Sequence, residues 1–186
     1  MLLYIILNGL SALLMHNPSG MVKPGGKRGL SRKSIPSPEE EAKASRYLLP
    51  DGNMYIPAIA VRRSLLSGAK GYRIGTRRAA DILSGAVILA DDEFPLLRDD
   101  KPMDGDDYSI DTRRAVVQRQ GIIRSRAMIE LPWTVKCVFE YNSELASLEH
   151  IKDSLNTAGQ IVGLLDYRPE KTGWFGRFEV TEIWSE

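Results

Sequence analysis

The sequence predicts an α+β fold in which two helices pack on one face of an antiparallel sheet. Three observations carry this. Leu2–Asn8 and Trp133–Tyr141 alternate with the period of a strand. Ala58–Ala69 and Leu148–Val162 place apolar residues at helical spacing. Strand-like runs follow each helix, so the order is strand, helix, strand, strand, helix, strand once the polar stretches are set aside.

In Leu2–Asn8, Leu3, Ile5 and Leu7 oppose Tyr4, Ile6 and Asn8, which leaves almost no polar face and predicts a central strand. The apolar start is too short to cross a bilayer as a helix. It lacks a positive leader region and exits through His16-Asn17-Pro18, so it is read as a strand and not as a leader. Residues 17–38 are rich in Pro, Gly, Ser and cations and are read as a mobile loop. Pro38–Tyr47 carries acids in its first turn, as a short helix does, and Asp51-Gly52 marks a turn.

Pro57 suits a first helical position, and Ala58, Val61, Leu65 and Ala69 then share one helical face with Arg62 and Arg63 turned away. Gly68 and Gly71 give the stop. Ala86–Ala90 reads as a short strand and Asp91–Asp107 as an acidic excursion. Tyr108–Val117 and Ile122–Ile129 read as a hairpin turning near Gln120-Gly121. In Trp133–Tyr141, Trp133, Val135, Cys137, Phe139 and Tyr141 share a face. The helix 148–162 and a closing strand Phe175–Trp184 follow. This is the βαββαβ order of a ferredoxin-like core. All 186 residues are assigned to one domain, with a basic and acidic insertion at 17–55 and an acidic excursion plus basic hairpin at 91–128.

The composition, 43% hydrophobic and 26% charged, is that of a globular domain. The single cysteine, Cys137, allows no intrachain disulfide and suits a reducing, cytoplasmic setting. The net charge of +1 conceals segregation. Residues 20–35, 57–80 and 112–129 are free of acids and hold sixteen of the 25 basic residues, while nine acids lie between Asp91 and Asp111. Blocks that converge in space make a phosphate track; each alone also fits a solvated face. The acidic stretch fits a solvated loop or a dock for a basic block of a neighbouring copy. It lacks the ligand ladder of an EF-hand.

The last thirty residues interleave glycines with cations and aromatics, from Gly159 through Arg168 and Lys171 to Gly173-Trp174-Phe175-Gly176-Arg177. Glycine lets backbone approach a ligand, arginine fits phosphate, and aromatic faces fit bases. The same segment also fits a helix cap, a proline turn and a last strand.

Three segments together resemble the RAMP superfamily, the RNA-recognition-motif-like subunits that build CRISPR effector backbones, and its small homologues in phages and other mobile elements. Tyr4–His16 is similar to the family's first strand and following turn. Tyr55-Ile-Pro-Ala-Ile-Ala-Val-Arg-Arg-Ser-Leu-Leu-Ser-Gly68 is similar to its first helix, although Pro-Ala-Ile-Ala stands where the family has Pro-Gly-Ser-Ser. Gly163–Phe178 occupies the place of its glycine-rich loop and is less glycine-dense. The resemblance implies a sequence-nonspecific grip on single-stranded RNA or DNA by copies stacked head to tail, alone or with other effector subunits. On that basis Lys27, Arg28, Arg62, Arg63, Arg77, Arg78 and Arg168 are expected at phosphates, and Trp174 and Phe175 are candidates for base stacking.

Two other classes remain open. His16 is the catalytic candidate for a metal-independent endoribonuclease, with Tyr167 and Lys171 as helpers. A mobile-element protein that docks into or inhibits a host effector complex is the third. No cofactor or metal is expected. The glycines of 20–28 are followed by Lys27-Arg28, which breaks the Walker A pattern, and one Cys with two His is too few for zinc.

Overall fold

The computed structural model describes residues 1–21, 36–117 and 120–186. Strand β1 (Leu2–Gly9) is followed by β2 (Leu13–Leu14) and a helical turn, α1 (Pro18–Met21). Helix α2 (Pro38–Ala44) precedes β3 (Tyr55–Pro57) and α3 (Ala58–Gly68). A small hairpin of β4 (Arg73–Ile74) and β5 (Arg77–Arg78) leads into α4 (Ala79–Ala86). Next come β6 (Val87–Leu89), β7 (Glu93–Arg98) and β8 (Lys101–Pro102). The long hairpin of β9 (Ser109–Val117) and β10 (Gln120–Ile129) follows. Strand β11 (Thr134–Tyr141), α5 (Leu148–Ile161) and β12 (Phe178–Ser185) complete the described chain.

The architecture is mixed α+β with antiparallel sheets. The main path of the larger sheet runs β12-β1-β11-β7-β3, with β6 also paired to β11 and β8 to β7. Strand β1 is central, as its two apolar faces require. Leu3, Ile5 and Leu7 are fully buried in the core that also holds Val61 and Leu65 of α3 and Ile151, Leu155 and Ala158 of α5. Tyr4 and Ile6, on the opposite face, are half-buried. Capping fixes where the helices begin. Ser147 accepts the His150 amide and the His150 ring accepts the Ser147 amide, so His150 is a capping residue. Ser37 and Glu40 exchange the same pair of bonds at the start of α2.

A second sheet, β2-β10-β9, carries the hairpin. Helix α2 lies against it: Glu41 bonds both Arg124 (2.6 Å) and the Ser125 amide (2.8 Å), and Ser45 accepts the Ala127 amide.

Several boundaries differ from the sequence expectations. The acidic excursion contains β7, whose Phe94, Leu96 and Leu97 are buried while the acids flank them. Helix α4 was not anticipated, because its alanines follow directly on the basic block. Pro57 caps α3 from the end of β3 and is not its first residue. Gln120 and Gly121 lie within β10, paired with Val117 and Val116 of β9, and are not the turn that the sequence suggested. The closing strand begins at Phe178, not Phe175. The assignment of 17–38 as a loop falls largely outside the described residues, save that 18–21 form α1.

Candidate functional site

A cleft of about 310 Å³ opens between the first turns of α3, the chain leaving β2, and the loop joining α5 to β12. His16 lines it from one side, Arg63 and Ser67 from α3, and Asp166, Arg168 and Glu170 from the loop. Tyr47 closes it, its hydroxyl donating to the His16 carbonyl at 2.7 Å.

Backbone bonds hold the loop in place. The Gly176 amide donates to Ala12 O at 2.7 Å, the Asp166 amide to Leu14 O at 3.0 Å, and the Leu164 amide to Gly176 O at 2.9 Å. Gly163, Leu165, Tyr167, Thr172 and Gly176 all have left-handed backbone. Three of these are not glycine, a conformation that costs roughly 1 kcal/mol or more at each and clusters at functional sites. Gly176 has a further constraint: a Cβ there would collide with the Leu164 carbonyl oxygen.

The electrostatics of the cleft are mixed. Arg168 bonds Leu165 O and Glu170, and that bond lowers the pKa of Glu170. Arg63 is exposed. Behind the lining, Arg126 is only 6% exposed, with Nε 2.8 Å from Asp166 Oδ2 but not aligned for a hydrogen bond. Its Nη1 and the His16 Nδ1 are buried with no hydrogen-bond partner among the described residues. Burial lowers the His16 pKa below its ordinary 6.5, with Asp166 opposing and Arg126 reinforcing the shift. His16 is therefore neutral near pH 7, and whether its buried Nδ1 is a donor or an acceptor is set by the tautomer.

The sequence candidates divide sharply. His16, Arg63 and Arg168 meet in the cleft. Arg62 does not face away as expected; it bonds Val87 O (3.0 Å) and Ser84 O (2.7 Å) and so ties α3 to the end of α4. Arg77 and Arg78 are exposed on β5, outside the cleft lining. Lys27 and Arg28 lie outside the described residues. Phe175 is buried at 4% exposure, which removes it as a free stacking platform, while Trp174 is 56% exposed.

Arg113 was not singled out for its contacts. Its guanidinium lies 5.1, 5.0 and 4.7 Å from the ring centres of Tyr167, Trp174 and Phe175, and it is bonded to Asp111. This cation–π cage fastens the β9–β10 hairpin to the loop that carries Asp166 and Arg168. Asp166, Arg126 and Tyr47 were likewise missed as site residues; nothing in their local spacing marks them.

The charge blocks are partly spent within the chain. Arg113, Arg124 and Arg126 pair with Asp111, Glu41 and Asp166. Of the acidic excursion, Asp106, Asp107 and Asp100 pair with Arg46, Arg98 and Lys136.

No protein-family model matches the sequence, and no curated protein matches it. Among the described residues, no helix is long and apolar enough to cross a membrane, and no three His, Cys, Asp or Glu side chains are grouped to hold a metal ion.

Two outcomes follow. Gly176→Ala places a Cβ against backbone at a left-handed residue, so stability falls by about 2 kcal/mol or more, read as a loss of roughly 4–8 °C in Tm. An unchanged Tm contradicts the close approach. The lowered pKa of His16 means that the unfolded chain binds the proton more readily. Its contribution is complete above the ordinary value of 6.5 and is lost as pH falls through the lowered value. Thermal melts of His16→Gln should therefore lose less stability between neutral and mildly acidic pH than those of the unaltered chain. Equal losses contradict the shift.

Proposed function

We propose that the chain binds single-stranded nucleic acid across the cleft, on a core of the ferredoxin-like, RAMP-like kind. One observation carries the proposal. The segments 4–16, 55–68 and 163–178, which hold the resemblance to that superfamily and are far apart in sequence, supply most of the lining of one cleft. Chain order also supports the core. Helix α3 lies between β1 and β6, α5 lies between β11 and β12, and the sheet order β12-β1-β11 continues antiparallel into β6 and β7.

Arg63 is the open phosphate ligand. Arg168 becomes one when a phosphate displaces Glu170, exchanging one charge-assisted bond for another. Trp174, on the same loop, stacks on Phe175 yet is more than half exposed, which makes it the aromatic open to a base. Backbone-directed contacts of this kind carry no sequence code.

A second reading, a metal-independent ribonuclease, is favoured by one specific observation: the neutral His16 lines the same cleft, and its buried Nδ1 has no hydrogen-bond partner among the described residues. Removing His16 separates the two. Binding survives His16→Ala under the first reading, and any RNA cleavage disappears under the second.

The test is equilibrium binding of labelled single-stranded RNA and DNA across a salt series. Affinity is expected to fall steeply with salt. Arg63→Ala and Arg168→Ala should each reduce the log–log slope by about 0.7, the value for one phosphate contact on a single strand. Arg62→Ala should leave the slope unchanged, because Arg62 is held by carbonyl oxygens. Absence of binding at low salt, or a slope indifferent to both cleft arginines, contradicts the proposal.

A further inference from the structure

The face of the larger sheet opposite α3 and α5 has an unusual composition. Register places Trp184, Tyr4 and Val138 in one row across β12, β1 and β11, and Glu182, Ile6 and Lys136 in the next. Leu2, Glu140 and Ile88 form a third row across β1, β11 and β6. Leu2 is 39%, Ile88 48% and Trp184 38% exposed, and Trp184 stacks on Tyr4 with ring centres 5.2 Å apart. An antiparallel sheet with one solvated face ordinarily alternates apolar-in and polar-out; here the outward positions are largely apolar or aromatic.

The charges on this face are acidic. Glu140, Glu179 and Glu182 are exposed. The one cation among these positions, Lys136, is already paired with Asp100 at 2.9 Å. A polyanion is therefore disfavoured here, despite the aromatic pair. Face-to-face pairing of two such sheets is also disfavoured, since it sets glutamates against glutamates.

The complementary surface is on the same chain. Between α3 and α4 the β4–β5 hairpin presents Arg73, Arg77 and Arg78, with Lys70 just before it and Tyr72 40% exposed. None of these four cations has a salt-bridge partner among the described residues. The hairpin belongs to the helix layer: Tyr72 shares a 2.5 Å hydroxyl bond with Thr157 of α5. It thus sits on the opposite side of the sheet and cannot cover the acidic face of its own molecule.

We infer that the open sheet face docks a second copy of this chain, which lays its Lys70–Arg78 hairpin on the Tyr4–Trp184 shelf between Glu179, Glu182 and Glu140. The contact joins two surfaces on opposite sides of the molecule, so it runs from copy to copy, into a ring or an open filament, and does not close as a pair. It assigns Arg77 and Arg78 to protein contact and leaves the cleft to nucleic acid. Because it needs no nucleic acid, it stands or falls separately from the proposed function.

The test is sedimentation of the full chain, free of nucleic acid, over a range of concentrations at low salt. The unaltered chain is expected to show an average mass that rises with concentration and falls on adding salt. Glu179→Gln with Glu182→Gln weakens the sheet face, and Arg77→Gln with Arg78→Gln weakens the hairpin. All four positions are exposed, so neither double variant disturbs the core. Each alone should associate at least about tenfold more weakly. Mixed, they should form one-to-one dimers and nothing larger, because each supplies the surface that the other lacks. A chain that stays monomeric throughout, double variants that assemble like the unaltered chain, or a mixture without dimers overturns the inference.

Discussion

Everything at the cleft depends on how closely the 163–176 loop approaches the chain between β1 and β2. The bonds from Gly176 N to Ala12 O and from Asp166 N to Leu14 O draw the two segments together. They set Asp166 and Arg168 opposite His16 and leave Arg126 paired with Asp166 behind the lining. Gly176 is required because its left-handed backbone and the nearby Leu164 carbonyl exclude a side chain. Leu165, Tyr167 and Thr172 carry the remaining strain, held by a frame anchored on Arg113 in its aromatic cage and on the Ser64 hydroxyl bonded to Gly163 O at 3.0 Å.

A chain with 25 basic and 24 acidic residues distributes them unevenly in sequence, yet the fold rejoins many of the separated blocks. Glu41 reaches Arg124, and Asp106 reaches Arg46, which is buried against Gly105 O and lies over the Tyr108 ring. Such pairs specify how α2, the hairpin and the acidic segment sit together more than they add to stability. Cations without an acidic partner among the described residues, such as Arg63, Arg77 and Arg78, are the ones available to act on something outside the chain. The acidic segment, read from sequence as a solvated loop or a dock for a neighbouring copy, has three of its charges paired within the chain.

Strands β1 and β11 and helices α3 and α5 are legible in the sequence because their burial is one-sided and periodic. Val135, Cys137, Phe139 and Tyr141 alternate with Thr134, Lys136, Val138 and Glu140, and the pattern survives folding intact. Strand β7 is not legible. Its apolar Phe94-Pro95-Leu96-Leu97 core is short and flanked by acids, so composition points to a loop while pairing with β11 and β3 makes a strand. Of the site, His16, Arg63 and Arg168 are legible through residue type and resemblance. Arg113 and Arg126 are not, because their roles rest on partners more than fifty and forty positions away, respectively, that only the tertiary fold supplies.

The most direct measurement is photochemical cross-linking of a labelled single-stranded RNA to the full chain, with the modified residues located by mass spectrometry. Binding across the cleft predicts cross-links on Tyr47, Tyr167 and Trp174 and none on Tyr4 or Trp184. Cross-links concentrated on Tyr4 and Trp184 would place the strand on the open sheet face and contradict the account, as would a chain that cross-links nowhere.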